Sequence, residues 1–223
     1  MAVSRTEGEL EALSAEAEVE YLVETVATAE GCARIVEETR RRLGPIEILV
    51  NNAGVGSYRE REIWEQDPAV WRESMAVNLD AAFELTRHAV RDMLELRFGR
   101  IVMVCSTASL AAGIAPGMSA YAAAKHGLLG LTRAAALDVA RFGVTCNAVL
   151  PGSVRTAMAE LKVEQEAARS GVSVEQAWAA RAAGYRAGRL VTVDEVASTI
   201  AFLASDEASG INGEAITVAL QGH

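Results

Sequence analysis

The segment Ser119-Ala120-Tyr121-Ala122-Ala123-Ala124-Lys125-His126-Gly127 sets a phenol and an ammonium four residues apart in an alanine-rich run. Alanine favours helix, and four residues is just over one turn, so Tyr121 and Lys125 project from the same face. A free phenol titrates near pH ~10, too high to trade protons with a substrate at neutral pH. A neighbouring ammonium stabilises the phenolate and lowers that value, which would make the pair a tuned acid and base. The same spacing also describes an ordinary helix with a packed Tyr and a solvated Lys. The chain holds four Tyr and only two Lys, Lys125 and Lys162; chance supplies such a pair roughly 0.04 times in a sequence of this make-up.

The surrounding pattern alternates strands with helices. From Thr28 to Leu43 the apolar Cys32, Ile35, Val36 and Leu43 recur at helical spacing, and Gly44-Pro45 stops the helix. Ile46 to Val50 reads as a strand covered on both faces, running into Asn51-Asn52-Ala53-Gly54. Trp71 to Arg97 reads as one long helix with Met75, Leu79, Phe83 and Leu85 inward and Asn78 among them. Ile101 to Val104 is the next strand, the Tyr121 helix continues to Phe142, and Val144 to Leu150 is a strand ending at Pro151-Gly152. Residues 153–189 are polar, helix-prone and broken by glycines, the composition of a lid. Thr192-Val193-Asp194-Glu195 is a capping box, and Ala215 to Leu220 is a last strand. The expected architecture is one α/β domain over residues 1–223, a doubly wound parallel sheet with the lid inside it.

Composition narrows the function. With 223 residues, 51% of them hydrophobic, the chain can bury a sizeable core. A net charge of -9 argues against nucleic acid and anionic membrane surfaces as partners. Arg40-Arg41-Arg42 lies at the end of a helix, where cations complement the dipole. Cys32, Cys105 and Cys146 are an odd number without metal-ligand spacing, so they read as reduced core thiols and no metal is expected. No signal peptide and no bilayer-length apolar run is visible. The expected location is therefore cytoplasmic.

Taken in order, Asn51-Asn52-Ala53-Gly54, Asn78, Ser106, Tyr121 with Lys125, and Pro151-Gly152-Ser153-Val154-Arg155-Thr156 resemble the short-chain dehydrogenase/reductase family. The resemblance implies a Rossmann-like fold and hydride exchange between a nicotinamide cofactor and a secondary alcohol or ketone. Tyr121 would pass the proton. Lys125 would lower the Tyr121 pKa and bind the nicotinamide ribose; Ser106 would hydrogen-bond the substrate oxygen; Asn78 would hold a water linking Lys125 to solvent. Asn52, Ala53 and Gly54 would pack on the adenosine side, and Pro151, Gly152, Val154 and Thr156 would lie near the carboxamide. Arg5, after the presumed second strand, favours NADP(H) over NAD(H). The lid and Gly188-Arg189-Leu190 resemble 3-oxoacyl and polyketide ketoreductases, and homodimers or homotetramers are expected.

Four departures qualify the pattern. The family opens with a strand, a glycine-rich turn and a helix that hold the pyrophosphate. This sequence takes up the pattern after them, and Gly54-Val55-Gly56 does not replace the turn, since Arg59 stands where a third glycine would be. An N-terminally truncated sheet of this kind is expected to show a gap, a re-paired sheet or an exposed apolar edge. Ser106 lies fifteen residues before Tyr121 where thirteen is usual, which keeps Ser109 as a competitor. Thr25 stands where an Asp would meet adenine, and Val218 to Gly222 lacks the usual glycine pair. Two other readings follow: a cofactor-free relative acting as an oligomerising subunit, and a lyase-like epoxide or halohydrin enzyme, against which the intact Lys125 argues.

Overall fold

The computed structural model describes residues 1–57, 59, 61–110 and 114–220. The chain opens with strand β1 (Ala2–Ser4), helix α1 (Glu7–Ala17) and strand β2 (Tyr21–Val23), the two strands pairing in parallel. Helix α2 (Ala29–Leu43) begins where the Thr28 hydroxyl accepts from the Gly31 N-H. A side chain at position 31 would meet the Thr25 carbonyl at 2.1 Å, so the tight entry requires glycine. The helix stops at Gly44, whose φ of 90° suits few other residues. Its arginines are structural: Arg40 donates to Asp92 and the His88 carbonyl, while Arg41 and Arg42 pair with Glu38.

Strand β3 (Ile48–Asn51) leads to helix α3 (Pro68–Met75), a π-helical turn over Ala76–Asp80, and helix α4 (Ala81–Leu96). Then come β4 (Gly99–Val104), α5 (Ser119–Val139), β5 (Val144–Pro151), α6 (Ala157–Ser170), α7 (Val174–Ala183), α8 (Val193–Leu203) and β6 (Ala215–Val218). Strands β3-β4-β5-β6 form one parallel sheet in that order. On one face Cys32, Ile35 and Val36 of α2, Leu85, Ala89 and Met93 of α4, and Leu128 and Leu129 of α5 pack on Ile101, Met103, Cys146 and Ala148. On the other, Leu203 of α8 packs on Val102 and Val149. Each fully buried side chain of this size contributes roughly 1.5–3 kcal/mol, which is why Ile101 to Val104 of β4 and Ala148 to Leu150 of β5 read as apolar runs.

Three expectations need correction. The long helix is interrupted by the π turn at Asn78, and Phe83 faces outward at 47% exposure while Leu85 is buried. A wide turn inserts an extra residue, which rotates the faces beyond it. The strand before Asn51 is not covered on both sides, because Ile48 is 48% and Val50 38% exposed. The sheet explains this: β1 and β2 form a separate two-stranded sheet, and among the described residues β3 has β4 as its only strand partner. Of the three outcomes anticipated for the truncated sheet, the gap and the exposed apolar edge are both present. Residues 221 and 222, part of the atypical ending, lie outside the described residues.

Candidate active site

The carboxyl ends of β3, β4 and β5 release three loops toward the first turns of α5, the place where open α/β sheets bind ligands. Helix α5 reaches this point closely packed: a side chain at Gly127 would meet Leu79 of the π turn at 2.8 Å. Lys125 therefore lies beneath the loop after β3, and a Cβ on Gly54 would be 2.9 Å from Asn78 Oδ1 and 3.9 Å from Lys125 Nζ. Gly54 is needed for this close approach rather than for a turn.

Tyr121 and Lys125 share a face of α5, with Lys125 Nζ 5.8 Å from the Tyr121 ring centre. Lys125 is 4% exposed, and its ammonium donates to the Val104 carbonyl at 2.8 Å. Burial pushes its pKa down to about 8, with Cys105 nearby opposing that shift. The Cys105 thiol moves the other way, up to about 11, because burial disfavours its anion more than Lys125 favours it. The site thus holds a buried lysine whose charge burial disfavours, beside a neutral thiol.

The two candidate serines occupy different environments. Ser106, half-buried at the end of β4, caps a short 3-10 turn by accepting from the Ala108 N-H. Ser109 is buried and donates its hydroxyl to the Lys125 carbonyl at 2.9 Å. Ser106 thus fixes the turn after β4, whereas Ser109 ties that turn to α5.

Asn78 is 1% exposed, and its side chain is committed to protein. Oδ1 accepts from the Val55 N-H, and Nδ2 donates to the Val55 carbonyl and to Ser74 Oγ. The amide clamps the loop that carries Asn52, Ala53 and Gly54. Asn52 and Ala53 are exposed at the end of β3, and Arg5 is exposed between β1 and α1. Pro151 ends β5, and Gly152 approaches Ala219 and the Tyr185 hydroxyl. Val154 forms a parallel bridge with Val191, and Thr156 caps α6 through the Ala159 N-H.

Two contacts were not legible in the sequence, and a third carried a local signal. Lys162 of α6 donates to the buried Ser57 at 2.9 Å, tying the segment after β5 to the loop after β3. The Tyr185 hydroxyl accepts from the Ser153 N-H at 2.8 Å. Ser74 sits one helical turn before Asn78, a spacing that could have signalled their pairing. Among the described residues no cluster of His, Cys, Asp and Glu could hold a metal ion, and no helix is long and apolar enough to cross a membrane.

The profile of a family described as enoyl-(acyl carrier protein) reductase matches residues 2–219. D-beta-hydroxybutyrate dehydrogenase of Rhizobium meliloti is 38% identical over 79% of this chain and 67% of its own length; its Cupriavidus necator counterpart is 40% identical over 76% and 65%. The 3-oxoacyl-(acyl-carrier-protein) reductase of Salmonella typhimurium is 36% identical over 82% of this chain and 69% of its own. The match therefore spans about two thirds of the length of these relatives. Among solved structures, actinorhodin polyketide ketoreductase with NADPH superposes with a TM-score of 0.90 at 32% identity, covering 99% of this chain and 87% of that one. Levodione reductase superposes equally well, at 0.90 and 28% identity, over 98% and 85%. A profile match over residues 2–219, relatives 36–40% identical and a shared fold lead to one conclusion: the chain belongs to the short-chain dehydrogenase/reductase family, a family of NAD(P)-dependent oxidoreductases.

Proposed function

We propose that this chain exchanges hydride between NADP(H) and a small secondary alcohol or ketone, 3-oxoacyl-like in its reacting part. The observation that carries the reading is the Tyr121-Lys125 pair on one face of α5, with the Lys125 charge buried beneath the loop after β3. A bound nicotinamide would supply or accept the hydride. The Tyr121 hydroxyl would protonate the carbonyl oxygen in reduction and take the proton back in oxidation. Ser106 would donate to that oxygen as charge builds on it. Lys125 would hold the nicotinamide ribose and, as an ammonium, favour the Tyr121 phenolate. The segment 153–189 would act as a lid over the substrate, with Val154 and Thr156 at its root.

Arg5 supports NADP(H), since a guanidinium after this strand suits an added phosphate. The names of the 3-oxoacyl reductase and hydroxybutyrate dehydrogenase relatives support a substrate oxygenated at the third carbon. A homodimer or homotetramer is supported by Phe83 on α4 and Leu137 on α5, which is 83% exposed. Three buried free thiols fit a reducing, cytoplasmic setting.

Titrating NADPH and NADH by fluorescence tests the reading. Saturation in the micromolar to millimolar range, tighter for NADPH, is expected; no binding at millimolar concentration sinks it. A second reading, a cofactor-free subunit, is favoured by the separation of β1 and β2 from the four-stranded sheet. Loss of alcohol oxidation in Tyr121→Phe with cofactor binding intact separates the two.

A further inference from the structure

The segment that leaves the sheet at Pro151 and returns at Val191 carries a small core of its own. Helix α6 opens at the Thr156 cap, and α7 opens at a capping box formed by Ser173 and Gln176. Val163 and Ala167, one turn apart on α6, are 0% and 2% exposed, and Trp178 of α7 is 3% exposed. The Trp178 indole N-H donates to Glu160 of α6, while the guanidinium groups of Arg155 and Arg181 lie 5.4 and 5.7 Å from its ring centre. Arg155 also pairs with Glu160 and Glu175, and Arg181 pairs with Glu166. Each of these bonds joins two residues of the segment itself. One exposed ion pair is worth little, but a buried indole closed in by a network that spans both helices makes α6 and α7 one body.

The feet of this body are built differently. The Val154-Val191 bridge and the bond from the Ser153 N-H to the Tyr185 hydroxyl keep the two ends together. Between Tyr185 and Leu190 the chain is an exposed turn, and a Cβ at Gly188, whose φ is 65°, would meet nothing within 4 Å. A change of dihedral angle there meets no resistance from a neighbour. Away from the feet, the half-buried Lys162 of α6 donates to Ser57 at 2.9 Å, and Ser57 is 8% exposed. Ser57 lies three residues after Gly54, where a Cβ would be 3.9 Å from Lys125 Nζ, and Asn78 grips Val55 between them.

We propose that α6 and α7 swing as a preformed gate on the turn at residues 186–189, that the bond from Lys162 to Ser57 is its latch, and that the latch makes opening of the gate and loosening of the loop after β3 a single event. Whatever orders that loop then favours the closed gate, and by reciprocity the closed gate holds the loop. The use of the gate, as a cover over substrate, rests on the oxidoreductase reading; its motion is measured on the protein alone, without cofactor or turnover.

Amide hydrogen exchange of the intact, ligand-free chain provides the test. Lys162→Met and Ser57→Ala should each speed exchange roughly tenfold at residues 52–57 and 185–190, and leave residues 157–183 as in the parent. Both changes cut the same bond, so the double variant should exchange no faster than either one. Arg169→Met, which removes an exposed cation from the same helix, should match the parent. The chain has three Trp; with Trp64→Phe and Trp71→Phe in place, the shielding of Trp178 from acrylamide should survive loss of the latch. Unchanged exchange in Lys162→Met or in Ser57→Ala overturns the proposal, as do additive effects in the double variant. Exchange in α6 and α7 that speeds together with the loop, or loss of Trp178 shielding, also overturns it, since the helices would then unravel rather than swing.

Discussion

Replacing Lys125 by Met removes a charge from the interior while keeping a side chain of similar length. The folded pKa of about 8, against 10.5 for a free lysine, corresponds to a cost of about 3 kcal/mol at pH 7. The lost hydrogen bond to the Val104 carbonyl returns about 1 kcal/mol of that. The variant should therefore be more stable than the parent by about 2 kcal/mol at pH 7. Between pH 8 and 10.5 the unfolded chain binds more protons at this position than the folded one. The parent recovers stability as pH rises through that window, so the advantage should shrink to about 1 kcal/mol by pH 9. The thiols act in the opposite sense: burial pushes Cys32, Cys105 and Cys146 up to about 11, 11 and 12, so their unfolded forms ionise first above pH 9. Cys105 loses the favouring charge in the variant and moves higher still, but its folded form is already neutral at pH 9 in both proteins, so the difference between them is little changed. Urea unfolding of the two proteins at pH 7 and pH 9 measures it. A variant less stable than the parent at pH 7, or a gap that does not change with pH, refutes a buried, charged Lys125.

Asn78→Ala removes three hydrogen bonds that hold the loop after β3; a loss of about 2–3 kcal/mol in urea unfolding is expected. Ser106→Ala should lower kcat roughly a hundredfold with little change in the unfolding midpoint. Ser109→Ala should do the reverse, costing about 1–2 kcal/mol of stability through the bond to the Lys125 carbonyl; equal kinetic damage in both would undo the assignment. Gly99→Ala would place a methyl 2.5 Å from the fully buried Met93, and should cost about 1–3 kcal/mol by thermal melting. Thr28→Ala removes the cap of α2 and should cost about 1 kcal/mol.

The sequence made local features legible where one principle decided them. Helix periodicity found α2, the capping box at Thr192 found α8, and the four-residue spacing put Tyr121 and Lys125 on one face. Asn78 stands out in the sequence among apolar neighbours, but its bond to Val55 does not, because the partners of an amide depend on a loop that arrives from a distant strand. Phe83 was misplaced because a π turn is invisible to a strict 3.6-residue period. Ile48 and Val50 have the composition of a doubly covered strand, and composition cannot report that a neighbour is missing. The Lys162 to Ser57 contact spans 105 positions between two ordinary polar residues and carries no local signal.

The single rung between Val154 and Val191 has an implication for how substrate choice can change. Everything from α6 through α7 departs and returns at neighbouring points, and the Tyr185 hydroxyl fastens the return to Ser153. Closing an excursion with fixed feet costs an entropy that grows only logarithmically with its length. Such a segment can be lengthened, shortened or exchanged for a sister version while the sheet and the proton-handling pair stay as they are. On the proposed lid reading, selectivity would be housed in a replaceable module whose two ends meet at one residue pair.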